Sequence, residues 1–306
     1  MDRREFLLAA AAAPLVVHDP PTALVTADTE AHVAAVDLLT GVVRKRIATL
    51  PGPRSIERVG STAVVAHTAV GAVTILRGLR VAHVLEGFVE PRYTHAAPDG
   101  RHAFVTDSGR PEVVTVDTAR GKVVARLRLH LWPRHLSLSR DGRTLWVGLG
   151  TASPELAVVD VADPRRPRLR GRVKPPFAAH DVGFAPSGRV WVTAGEARSV
   201  AVYGRNGEPR VLAADGAPQH VTFLAGRAFV SSGDDGTLRV YDERTARLLR
   251  TSRIPTGSYN VQSVSSRGWG GRILTPSLAA GTLCVVDAHG RVRDRTRVAP
   301  SCHDAA

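Results

Sequence analysis

The chain predicts an all-β fold, a closed ring of seven four-stranded antiparallel sheets, and three observations carry that expectation. A motif recurs about every forty residues, short apolar runs alternate with turns rich in Gly and Asp, and no helix-length amphipathic segment separates the runs. Of the 306 residues, 43% are hydrophobic, which supplies a packed core and excludes a disordered chain. The 28 glycines and 20 prolines favour many turns. Past Val17 no stretch approaches the roughly 18 uncharged apolar residues of a membrane span.

The first element is an export segment with its linker, residues 1–22. Arg3 and Arg4 precede Phe6 and Leu7, an alanine run ends at Ala13, and Pro14-Leu15-Val16-Val17 follows. A paired arginine, a short apolar stretch and small residues suited to cleavage resemble a twin-arginine signal, a route that carries folded proteins. The resemblance implies export to the periplasm, the cell envelope or the outside. The body is then a single domain, residues 23–306.

Within the body each repeat reads as four strands joined by tight turns. The third repeat shows the plan best: Pro98-Asp99-Gly100 makes a turn, Phe104-Val105-Thr106-Asp107 ends the second strand, and Val116-Asp117-Thr118 ends the third. Gly100, Gly142 and Gly188 can supply the positive φ that a hairpin turn needs, where a Cβ would clash. Asp37, Asp117, Asp160, Asp242 and Asp287 end third strands. They read as acceptors for the following turn and not as catalysts.

Each first strand opens on a Pro-x-polar-apolar pattern or a degenerate copy of it. Full copies are Pro53-Arg54-Ser55-Ile56, Pro91-Arg92-Tyr93-Thr94, Pro133-Arg134-His135-Leu136 and Pro218-Gln219-His220-Val221. Degenerate copies start at Ala179, Ser258 and Cys302. The third residue of each falls at 55, 93, 135, 181, 220, 260 and 304, so seven sheets are expected. The body opens with Ala23-Leu24-Val25-Thr26, which matches a second strand, and finishes with His303-Asp304-Ala305-Ala306, which matches the start of a first strand. The last residues are therefore expected to complete the first sheet and hide its open edge.

These motifs resemble the YVTN family of β-propellers, over about residues 23–306. The resemblance implies a seven-bladed propeller and leaves the activity open, because propellers host enzymes, sensors and scaffolds alike.

First strands of a propeller line the axis, so their leading residues meet at one mouth of the channel. Those residues are Ser55, Tyr93, His135, Asp181, His220, Asn260 and Asp304, with Arg54, Arg92, Arg134, His180, Gln219, Tyr259 and His303 just before them. None is aliphatic. Three uses fit. The groups can hydrogen-bond loops and channel water. Arg54, Arg92 and Arg134 can clamp an anion while His-Asp pairs supply acid and base. His135, His180, His220 and His303, with Asp181 or Asp304, can hold a transition metal. Among the other histidines only His67 and His95 are placed to approach the mouth, and Asp107 faces the same way.

The leading expectation is an exported, monomeric binding or scaffold module with a polar ligand site at the axial mouth. Its partner is a small anionic molecule or an envelope protein. The alternative is an enzyme, either a hydrolase or lyase resembling lactonases on related propellers, or a metal-dependent catalyst. No phosphate-cradling loop, Cys-x-x-Cys knuckle, nucleophile elbow or dinucleotide fingerprint is present. The formal net charge of +13 is almost all arginine, scattered through every repeat without interleaved aromatics, so nucleic acid is not expected. Trp132, Trp146, Trp191 and Trp269 read as sheet packing. An oxidising compartment would permit a disulfide, but Cys284 falls inside a strand and Cys302 after the next one, a hairpin geometry that does not favour the bridge, so a free buried thiol is the leading expectation for Cys284.

Overall fold

The computed structural model describes residues 21–150, 155–204, 207–214, 216–266 and 270–306. Residues 1–20 of the expected export segment, and Trp269, lie outside the described residues. The described chain forms seven antiparallel sheets in the ring of a β-propeller. Two short 3-10 turns, Thr68–Val70 and Gly195–Ala197, are the only helical elements among the described residues. None of these is long and apolar enough to cross a membrane.

Blade 2 shows the common plan. Its inner strand Pro53–Val59 pairs with Thr62–His67, then Ala72–Arg77, then the outer strand Val81–Leu85. The inner strands of blades 3 to 7 are Pro91–Ala96, Leu136–Leu138, Asp181–Phe184, Val221–Leu224 and Gln262–Ser266. Each begins within the Pro-x-polar-apolar signal or its degenerate copy, or just after it; in blades 3, 4 and 6 the Pro ring fixes φ and biases the residue before it toward extended backbone. Burial then sorts the strands by radius. The second strand Thr62–His67 is buried throughout, whereas the outer strand Arg168–Val173 of blade 4 is exposed almost throughout. The outer strands of every blade but blade 2 carry arginine.

Closure follows the expected seam. Blade 1 has three sequential strands, Thr22–Ala27, His32–Asp37 and Val43–Ala48, and the last residues of the chain fill its inner place. Leu24 N donates to Ala306 O at 2.8 Å and Ala306 N returns to Leu24 O at 2.9 Å. Thr26 N donates to Asp304 O at 2.9 Å and His303 N to Thr26 O at 3.1 Å. Val25 and Ala305 form an antiparallel bridge.

Among the described residues, buried apolar side chains fall into seven clusters, each between two adjacent blades. Leu24, Val33, Ile56 and Val65 join blades 1 and 2, and Ala23, Val25, Leu274 and Leu283 join blades 7 and 1. The core is thus a ring of interfaces with no single centre, and this leaves the axis to polar groups. Hydroxyls add a repeated clasp at the inner end. Thr26 donates to Arg54 O at 3.1 Å, Thr193 to Gln219 O at 2.5 Å, and Ser231 to Tyr259 O, each linking a second strand to the backbone that leads the next blade.

The third-strand aspartates behave as read. Asp37 accepts from Leu39 N and Thr40 N, Asp117 from Ala119 N and Arg120 N, and Asp242 from Arg244 N and Thr245 N. Gly100, Gly142 and Gly188 have φ of 64°, 69° and 85°. Gly60 marks a close inter-blade approach, since a Cβ there would meet Gly100 O at 2.4 Å. Cys284 and Cys302 are free and buried in different clusters, and burial pushes their thiols up to about 11 and about 12.

Candidate functional site

All seven leading residues line one axial cavity of about 360 Å³. They come from seven separate blades, so the ring geometry alone assembles them. The cavity wall continues one alternation deeper with Glu57, His95, Ser137, Gly183, Thr222 and Gln262, because side chains two apart on a strand share a face.

The chemistry concentrates on one side. The ring centroids of His135 and His220 are 4.4 Å apart, and His180 lies 5.0 Å from His135 and 5.3 Å from His220. Tyr93 stacks on His135 at 3.7 Å. One ligand atom from each of the three histidines lies within 4.8 Å of the other two, and no other group of three or more histidine, cysteine or carboxylate donors converges this way among the described residues.

Two of these rings have their orientation fixed from behind. His135 Nδ1–H donates to His180 O at 2.5 Å, which leaves Nε2 as the lone-pair nitrogen; that atom is buried and has no partner among the described residues. His220 Nδ1 lies 3.4 Å from Asp181 Oδ2. Backbone carbonyls and carboxylates in these places set the tautomer and orientation of histidines that hold metals. Burial pushes the His135 and His180 imidazoles well below their ordinary value, with the neighbouring His220 adding to the effect, so both are neutral donors at neutral pH.

The other expected residues are placed differently. His303 lies at the mouth but outside the three-histidine group: its Nδ1–H donates to Arg54 O at 2.9 Å and its carbonyl accepts from Asn260 Nδ2 at 2.7 Å. Asp304 ties blade 1 to blade 2 by accepting from Ile56 N at 3.1 Å, and Asp181 ties blade 5 to blade 6 by accepting from Val221 N at 3.0 Å. His303, Asn260, Asp304 and Asp181 therefore clasp blades, and all but His303 line the cavity. Asp107 accepts from Val89 N and Glu90 N and so shapes a loop. His67 bonds Pro51 O and stays out of the cavity wall, whereas His95 lines it.

Sequence reasoning missed Glu57 and Trp132. Glu57 lies on the cavity wall, where burial and the nearby Asp304 carboxyl push it up to about 8; burial raises Asp304 to about 6. Its signal was period-two alternation from Ser55. Trp132 is not packed in a sheet. It is 36% exposed, with the guanidinium carbons of Arg92 and Arg134 at 4.6 and 5.3 Å from its ring centroids. Trp146 and Trp191 do pack against neighbouring aromatics as expected.

No family model and no curated protein matches the chain. Solved structures do resemble it. A protein of unknown function from Desulfotomaculum acetoxidans shares 11% identity over 93% of this chain and 98% of its own, with a TM-score of 0.78. Kuenenia stuttgartiensis hydrazine synthase shares 16% over 88% and 93%, with 0.73, and apo AztD from Citrobacter koseri shares 12% over 93% and 97%, with 0.70. Likeness at this identity shows the propeller fold, and the differing descriptions of these proteins carry no activity to this chain.

Proposed function

We propose that the protein is an exported, monomeric binding module that takes one divalent transition-metal ion at the axial mouth through His135, His180 and His220. The observation that carries this is the convergence of three imidazoles, one with its Nδ1–H committed to a carbonyl and its Nε2 buried without a partner among the described residues. Zinc-nitrogen bonds of about 2.0–2.1 Å place tetrahedral donors about 3.4 Å from one another. Metal binding at this site requires side-chain rotations that close the present spread of up to 4.8 Å. Three imidazoles suit Zn²⁺ or Cu²⁺ and leave a coordination position for a further ligand.

The test is titration of metal-free protein with Zn²⁺ and Co²⁺. About one equivalent should bind, and the cobalt form should show the intense visible bands of a four-coordinate site. His135→Ala together with His220→Ala should abolish binding, and His303→Ala should retain it. Binding of less than a tenth of an equivalent, or unchanged binding in the double variant, overturns the proposal.

A further inference from the structure

Arg54, Arg92 and Arg134 stand just before the leading residues of blades 2, 3 and 4; Arg92 feels the charges of the other two, and Arg134 lies next to His135 and near His180. Each has a buried Nε with no hydrogen-bond partner among the described residues. Arg92 and Arg134 lie over one Trp132 ring, which holds both forks in place by cation-π contact. One counter-charge is close to them: Glu90 Oε2 stands 3.6 Å from Arg92 Nη2 and accepts from Trp132 Nε1 at 3.3 Å. Glu90 is the one carboxylate in ion-pair range of these guanidinium groups among the described residues, and the Asp181 and Asp304 carboxylates are engaged with Val221 N and Ile56 N, so positive charge is in excess on this side of the mouth. Burial and mutual repulsion with Arg134 and Arg54 hold the Arg92 guanidinium below its ordinary value, and Arg134 also bears on His135 and His180. A divalent cation on the histidines adds two more positive charges to this spot. Such an arrangement binds metal well only when an anion offsets the charge.

We infer that Arg54, Arg92 and Arg134 hold a small oxyanion or carboxylate that shares the mouth with the metal, so that each ligand strengthens the binding of the other. This rests on the metal reading of the three histidines. Guanidinium forks match oxygen anions in bidentate geometry, and a coupling between two ligands is reciprocal. The occupant is therefore a metal together with an oxygen-rich anion.

The experiment measures Zn²⁺ affinity by calorimetry at constant ionic strength, with perchlorate as background and sulfate or malonate exchanged for it. Values are corrected for zinc bound by each anion in solution. Constant ionic strength removes general screening as a cause. At least one anion should raise the zinc affinity about tenfold, and zinc should raise that anion's affinity by the same factor. The stronger of the two distinguishes a tetrahedral oxyanion from a carboxylate. In Arg54→Gln with Arg92→Gln, zinc should bind more tightly than in the parent in perchlorate, and the gain from the anion should fall below about twofold. Zinc binding at one equivalent with no gain from either anion overturns this inference and leaves the metal reading standing. An undiminished gain in the double variant overturns the role of the arginines. Failure of zinc to bind at all overturns the metal reading and the coupling with it.

Discussion

Deleting residues 303–306 tests whether the last four residues complete blade 1 energetically as well as geometrically. The deletion removes four backbone hydrogen bonds, Leu24 N to Ala306 O, Ala306 N to Leu24 O, Thr26 N to Asp304 O and His303 N to Thr26 O. At about 0.5–1.5 kcal/mol net for each, the ladder contributes about 2–6 kcal/mol. Ala305 and Ala306 are small and add little by burial, while loss of the Asp304 carboxylate frees Ile56 N–H from its acceptor. A midpoint of about 4 kcal/mol is a large share of the 5–15 kcal/mol typical of a folded domain. For a chain of this size it lowers Tm by roughly 8 °C. Urea unfolding followed by tryptophan fluorescence, with a thermal scan in parallel, measures both. Asp304→Ala, which keeps the backbone ladder and removes the carboxylate, should lose only about 1–3 kcal/mol. A truncated protein whose Tm falls by less than about 2 °C would show that the four residues are a tail without structural weight.

Three other predictions concern single side chains. Glu57 is raised to about 8 from an ordinary value of 4.5, so the folded chain binds more protons than the unfolded chain between those values, and stability falls as pH rises through that window. Glu57→Gln should flatten this slope, which one proton limits to about 1.4 kcal/mol per pH unit, in urea midpoints taken from pH 5 to pH 8. Asp117 is held at about 2 by the Arg101 hydrogen bond and by turn N–H groups, so its contribution is complete above the ordinary value of 3.8 and is lost as pH falls toward 2. Asp117→Ala should cost about 2 kcal/mol at neutral pH through the uncapped turn, and less near pH 2, as read from the same midpoints. Trp191 is fully buried against Phe223 and Tyr241, so Trp191→Ala should cost about 3–5 kcal/mol in equilibrium unfolding without loss of zinc binding.

The blade count, the seam and the identity of the axial residues were legible because each depends on local backbone chemistry. Pro53, Pro91, Pro133 and Pro218 mark where inner strands begin, and Gly100, Gly142 and Gly188 mark turns whose φ excludes most side chains. Which axial residues meet was not legible. That depends on angular position around the ring and on side-chain direction, so His135, His180 and His220 converge while His303 turns back to Arg54 O. Trp132 was misread because its neighbours in sequence resemble a strand, whereas its contacts are two arginines from the leading segments of blades 3 and 4. Asp181 and Asp304 look alike in sequence to catalytic carboxylates, and only the structure shows their oxygens engaged with Val221 N and Ile56 N of the adjoining blade.

The seven apolar clusters lie between neighbouring blades, and of the seven leading residues at the axis only Tyr93 belongs to one. Hub and frame are consequently separable. A change at Thr222 or Gln262, which line the cavity and belong to none of the seven clusters, alters what the hub recognises while the wedges that carry the load keep their packing, so new specificities are reachable one spoke at a time.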